Sequence, residues 1–211
     1  MNCYIRVPLN TNPEQFRRML ELQEAFARVC NELAPEVKAS KVWNRVALHH
    51  MHYRRLREKF PTLGSQMICN AIYAVSRTSR LLFQTPASPY HLSKLKNGRL
   101  PLMHFAKSCP VYFDRHTLSL KGSGLSLFTL DGRMYFDLKL PRQQLLLFQI
   151  AKLREISLKR LTTDAFELLF WLEVNEAQVD LTSQSEDTFS VQEIQESSSF
   201  VPEYVSVEVC S

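Results

Sequence analysis

The 211-residue sequence predicts an α+β protein: one strand, then a lobe of about three helices, then many short antiparallel strands. Three observations carry this reading. Apolar residues recur at three- and four-residue steps over 13–83, the period of helices with one buried side. From about residue 100 the period shortens, and turn residues separate runs of four to eight. Residues 176–211 then lose all Gly, Lys and Arg and turn rich in Ser, Glu and Gln.

Residues 2–9, NCYIRVPL, read as a short strand with Pro8 at an edge or end. Thr11 or Asn12 is set to cap a helix that Pro13 opens. That helix spans about 13–34, its apolar positions Phe16, Met19, Leu20, Leu22, Phe26, Val29, Cys30 and Leu33, and Pro35 ends it or starts another turn. A second helix, about 40–58, takes Ser40 as cap and Val42, Trp43, Val46, Ala47, Met51 and Leu56 as its apolar side. Pro61 and Gly64 break the chain before a third helix, about 65–83, buried through Met67, Ile68, Ala71, Ile72, Val75 and Leu82.

Strands are expected over 102–107, 110–114, 117–120, 125–130, 133–140 and 166–174. Asp131-Gly132 between two apolar runs is a strong hairpin signal. Residues 142–152 fit helix or strand. Closely spaced strands point to a small barrel or a strongly bent sheet, with the first strand joining the later ones. Residues 176–211 read as a flexible acidic tail that docks at most a short strand over 204–209.

Charge is unevenly placed. Residues 1–173 hold all 26 Lys and Arg and 13 of the 21 Asp and Glu, a net +13; residues 174–211 hold the other 8 acids, a net −8. A basic body attracts polyanions through phosphate contacts and counterion release. No stretch approaches the roughly 20 apolar residues of a membrane helix. The first residues lack a basic segment followed by an apolar one, so no secretory signal is read and a cytoplasmic protein is expected. Cys3, Cys30, Cys69, Cys109 and Cys210 are scattered with no C-x-x-C, the pattern of reduced thiols.

Two stretches carry a family resemblance. Residues 44–80 contain Leu48-His49-His50, the run Tyr53-Arg54-Arg55-Leu56-Arg57, Gln66-Met67 and Asn70-Ala71-Ile72. Residues 109–140 contain Phe113-Asp114 and Thr129-Leu130-Asp131-Gly132-Arg133. In that order they resemble the N-terminal half of TnpB (OrfB) proteins, insertion-sequence RNA-guided nucleases related to type V CRISPR effectors. The resemblance spans roughly residues 1–175. It implies a helical recognition lobe over 10–83, inserted into a wedge domain over 1–9 and 84–175 built as an oligonucleotide-binding-type antiparallel β-barrel, with 176–211 as acidic tail.

The resemblance also implies a RuvC-type core after the last wedge strand, whose carboxylates hold divalent metals. Here Asp180 stands in Val179-Asp180-Leu181 with no glycine near it, and 31 residues follow. No C-x-x-C pair supplies the family's zinc ribbon. The expectation is a recognition half without a catalytic half: not an enzyme, with no cofactor and no catalytic or metal-holding residue. No G-x-S-x-G, P-loop or G-x-G-x-x-G cradle points to another reaction. The expected partners are a structured RNA or an RNA–DNA heteroduplex, and a separate nuclease subunit. A protein-interaction module and a non-functional transposon relic are the alternatives.

The candidate contacts are basic. Tyr53, Arg54, Arg55, Arg57 and Lys59, with Arg77 and Arg80, either line a nucleic-acid channel or form a solvated helix surface. Lys94, Lys96 and Arg99, with Lys107, either touch an RNA backbone or belong to a soluble linker. Arg133 either reaches a phosphate or stabilises its hairpin. Phe105, Tyr112, Phe128 and Tyr135 form a stacking platform or a core. His49, His50 and His52 lack companion ligands, so hydrogen-bonded interface histidines are expected rather than a metal site. Trp43 and Trp171 are expected in the core.

Overall fold

Strand β1 (Asn2–Leu9) alternates in burial, with Cys3, Ile5, Val7 and Leu9 inside. It pairs antiparallel with β8 (Ala165–Glu173), setting Ile5 opposite Phe170 and Val7 opposite Leu168. The first strand therefore does join the later sheet, and the helices lie between in sequence. The structure, a computed structural model, describes residues 2–162, 165–174 and 201–208. Most of the expected acidic tail thus lies outside the described residues.

Helix α1 (Pro13–Ser40) starts where the sequence places it. Asn12 Oδ1 accepts from Gln15 N (2.8 Å) and Gln15 Oε1 accepts from Asn12 N (3.0 Å), a reciprocal cap. The helix does not end at Pro35. Proline removes one hydrogen bond, but Ala34 and Val37 on either side are buried, and that packing carries the helix through. It ends at Lys41, whose left-handed backbone (φ 56°) returns its N–H to Val37 O.

Helix α2 (Arg45–Lys59) is capped by Asn44, not Ser40; Asn44 Oδ1 accepts from Val46 N and Ala47 N. Its buried side is Leu48, His52 and Leu56, one residue per turn. Val46 (63 % exposed) and Met51 (52 %) face out, contrary to the expected apolar side. Helix α3 (Ser65–Gln84) packs on both and buries Met67, Ile68, Ala71, Ile72, Val75 and Leu82 as expected, and Phe83 besides.

After two short 3-10 turns come β2 (Leu102–Phe105), β3 (Val111–Phe113), β4 (Leu118–Lys121), β5 (Gly124–Thr129) and β6 (Gly132–Asp137). The ambiguous segment is a helix, α4 (Arg142–Ile150). β7 (Lys152–Thr162) is a strand the sequence did not announce, and β9 (Val205–Glu208) is the short tail strand that it did. The described strands form three antiparallel sheets: β1-β8-β7-β3, β2-β9 and β4-β5-β6. They do not close into a barrel. β7 is central, hydrogen-bonded to both β8 and β3. Trp43 and Trp171 are only partly buried; Trp43 packs on Phe83 and Trp171 stacks on Tyr4.

Cys3, Cys30, Cys69 and Cys109 are free thiols; Cys210 lies outside the described residues. No described helix is long and apolar enough to cross a membrane.

Candidate nucleic-acid interface

The basic run of α2 is largely used within the chain. Arg55 bonds Glu32 (3.0 Å) and Glu36 (2.9 Å) of α1, and Lys59 bonds Glu32 (2.7 Å). Arg54, 94 % exposed, pairs with Glu58 one turn on. Arg57 donates to Leu63 O and fastens the α2–α3 connection. Tyr53 packs partly against the core and stacks on His49 at 4.6 Å. Three of these cations thus sit against carboxylates, and the run reads as a bridge between α1 and α2.

Arg77 and Arg80 separate. Arg77 bonds Glu155 Oε2 (3.0 Å), to which Tyr73 also donates (2.5 Å). Burial first, then the Glu155 carboxylate, pushes the Tyr73 hydroxyl up to about 12. This is a partly buried lock between α3 and β7. Arg80 is exposed, with no carboxylate partner among the described residues. Lys94 donates to Pro86 O (2.8 Å) and Ser88 O (3.0 Å), so it holds its own loop together. Lys107 pairs with Glu24. Lys96 and Arg99 are exposed and, among the described residues, without a carboxylate partner.

The two stretches that carry the resemblance meet in space. Gln66 Nε2 donates to Asp114 Oδ2 (2.5 Å), and Asn70 Nδ2 to Thr117 Oγ1 (3.4 Å). Asp114 Oδ1 also accepts from His116 N (3.0 Å) and Thr117 N (3.1 Å). At the β5–β6 hairpin, Arg18 of α1 binds Asp131 (2.6 Å) and Thr129 (2.9 Å). The Thr129 hydrogen bond first, then Arg18, holds the Asp131 carboxyl below the usual carboxylate range. These motif residues fasten helices to turns.

Arg133 stands on a different kind of surface. The loop Leu130–Asp131 pairs Thr129 with Gly132, whose φ of 114° suits glycine. That register puts Arg133 opposite Phe128 and Tyr135 opposite Ser126. β4 adds Ser119 opposite Ser126 and Lys121 opposite Gly124. One side of the three-stranded sheet, through Leu118, Leu125, Leu127 and Met134, is buried. The other side presents Tyr135 (69 % exposed), Phe128 (37 %), Lys121 and Arg133. Arg133 lies over the Phe128 ring at 4.5 Å and donates to Ser126 Oγ (2.9 Å) and His116 O (3.0 Å).

Past Tyr135 and Asp137 the surface enters a groove of about 580 Å³, lined by Arg6, Asn10, Gln15, Lys139 and Gln144. Arg6 also bonds the buried Glu167 (3.1 Å).

Of the four aromatics offered as platform or core, two are exposed and two are core. Phe128 and Tyr135 are presented, whereas Phe105 (1 %) and Tyr112 (6 %) are core. Lys121, Arg6 and Lys139 were missed in the sequence. Lys121 was legible in principle, because period-2 alternation and the two-residue loops place it on the Tyr135 side. Arg6 and Lys139 come together only through the tertiary fold.

His49 and His50 make ring contacts along α2. His52 is buried, and its Nε2 has no hydrogen-bond partner among the described residues, unlike the expected satisfied histidine. Among the described residues no group of three or more His, Cys, Asp or Glu is placed to hold a metal ion.

No protein-family model matches the chain, and no curated protein matches it.

Proposed function

We propose that this chain is a non-catalytic nucleic-acid-binding protein, akin to the recognition half of a TnpB-like nuclease, and that it holds a structured RNA or an RNA–DNA duplex. The observation that carries the reading is the solvent side of β4-β5-β6. An exposed sheet with two presented aromatics beside Lys121 and Arg133 is suited to stacking unpaired bases while cations follow the backbone. The groove with Arg6 and Lys139 extends that track. The +13 charge of residues 1–173 supplies the long-range attraction.

In this reading the three sheets take the place of an oligonucleotide-binding-type barrel. The acidic residues after Val174, part of a net −8 over residues 174–211, compete with RNA by charge. Cleavage belongs to a separate nuclease subunit in the cytoplasm.

The test is fluorescence polarisation with a labelled RNA hairpin carrying an eight-nucleotide unpaired tail, against the same hairpin without it. The tailed RNA binds more tightly, and Tyr135→Ala removes the difference. Equal binding of both RNAs by the native chain and by Tyr135→Ala sinks the site.

A second reading, a protein-interaction module, is favoured by Val46 and Met51, two large apolar side chains exposed on α2. A stable protein complex with no excess absorbance at 260 nm is its expected outcome.

A further inference from the structure

Strand β2 is fixed to the body without help from its ladder partner. Asn31 of α1 donates from Nδ2 to Phe105 O (2.8 Å), and its Oδ1 accepts from Phe105 N (2.7 Å). A side-chain amide thus completes one edge of the strand. Gln23, also on α1 and buried, donates to Ser108 O and Cys109 O just past the strand, at 3.0 Å each. Met103 and Phe105 point into the core.

In an antiparallel strand, successive residues direct their peptide groups to opposite edges. With Phe105 turned to Asn31, its neighbours serve the other edge. There β9 sits, with His104 opposite Ser206 and Leu102 opposite Glu208. Ala106 N extends the pairing by donating to Tyr204 O (2.9 Å).

What fills that edge is a short extended segment. Val201 to Glu208 reads VPEYVSVE. The Tyr204 side chain is hydrogen-bonded to Tyr112 and Thr78. Val205 is buried, Val201 and Val207 pack against the core, and Ser206 and Glu208 are exposed. Backbone bonds hold the segment along its length, and alternate side chains fill the body beneath it. That is the division of labour of a peptide added to a sheet edge. In sequence, 26 residues separate Val174 from Val201. Such a run reaches at most about 90 Å, so covalent closeness to β8 does not dictate the docking.

We infer that the edge of β2 covered by β9 is a peptide-docking site of the strand-addition type. Residues 201–208 occupy it in cis, and a partner protein's extended segment of the same pattern fits it: proline, then a tyrosine two residues on, then β-branched residues at the next and third positions after it. The covalently attached segment competes as an intramolecular ligand. A partner therefore takes the edge when it binds more tightly than the cis segment or when the cis segment is released.

The test uses the whole chain with a protease site substituted at 186–191, before and after cutting. A fluorescent peptide of residues 199–211 is titrated and anisotropy is read. The cut chain binds the peptide saturably and keeps its circular dichroism with the peptide present. The intact chain binds it at least 10-fold more weakly, and a Tyr204→Ala peptide loses at least 10-fold on the cut chain. Three results overturn the inference: equal binding by cut and intact chain, equal binding of both peptides, or unfolding of the cut chain in excess peptide. An intact chain that forms a concentration-dependent dimer by exchanging the segment assigns the edge to a second copy and also overturns it. No nucleic acid enters this experiment, so its failure is independent of the RNA reading.

Discussion

Tyr135 is presented by a backbone held on two sides. Hairpin register fixes it opposite Ser126, and Gln15 Nε2 donates to its carbonyl (3.3 Å). The ring costs little further ordering when a base stacks on it. Base–aromatic stacking contributes about 1–3 kcal/mol, so Tyr135→Ala is expected to weaken RNA about 5- to 150-fold, while Tyr135→Phe keeps most of the affinity. Polarisation titrations check both.

His52 carries a pH dependence. Burial first, with Arg55 adding and Glu36 opposing, holds its pKa below the ordinary value of about 6.5. The folded protein therefore prefers neutral His52, and the unfolded chain takes up the proton more readily. The contribution is full above about pH 6.5 and is lost as pH falls below it. Urea midpoints measured from pH 8 to pH 5 are expected to fall less steeply in His52→Leu than in the native chain. Parallel pH profiles for the two would assign the dependence to another group.

At the scale of elements, α3 and the β3–β4 turn meet through Asp114. Its carboxylate gathers Gln66 and the amides of His116 and Thr117, and the Thr117 hydroxyl donates to it as well (2.9 Å). Hydrogen bonds to a charged group are worth roughly 1.5–3 kcal/mol. Asp114→Ala is expected to lower stability by about 2 kcal/mol in denaturant titrations.

The end of α1 offers the opposite change. Lys41 holds a left-handed backbone that disfavours a side chain by about 1 kcal/mol. Lys41→Gly is expected to raise stability by up to that amount. The α2 cations predict a third outcome. Replacing Arg54, Arg55 and Arg57 by Ala breaks contacts to Glu58, Glu32, Glu36 and Leu63 O, so the thermal midpoint drops while RNA affinity changes less than in Tyr135→Ala.

Across the whole molecule, the proposed track brings Arg6, Lys121, Arg133 and Lys139 to one strand of RNA. Four phosphate contacts on a single strand give a log–log salt slope of about −3. Lys121→Ala should flatten it by about 0.7, and the triple substitution on α2 should leave it unchanged. A slope that flattens with the α2 triple instead would move the interface to the helices.

Much of this was written in local sequence. The Asn12-Pro13 start, the three helices, the Asp131-Gly132 hairpin and the short strand near 205 are signals that a few neighbouring residues complete by themselves. So is the division into a basic body and an acidic C-terminal region. Where a distant partner decides, sequence was silent or misleading. β7, with five charged residues among its eleven, becomes a central strand only because β8 and β3 bond both of its edges.

Pro35 stays helical because the core holds its neighbours. Val46 and Met51 face solvent because Leu48, His52 and Leu56 are the side that α1 and α3 accept. The site divides the same way. A run of cations is visible in sequence, but only the fold decides that Glu32 and Glu36 face it and that no acid of α1 covers Tyr135. Charge and periodicity are local properties of the chain, whereas pairing and exposure belong to contacts between residues far apart in it.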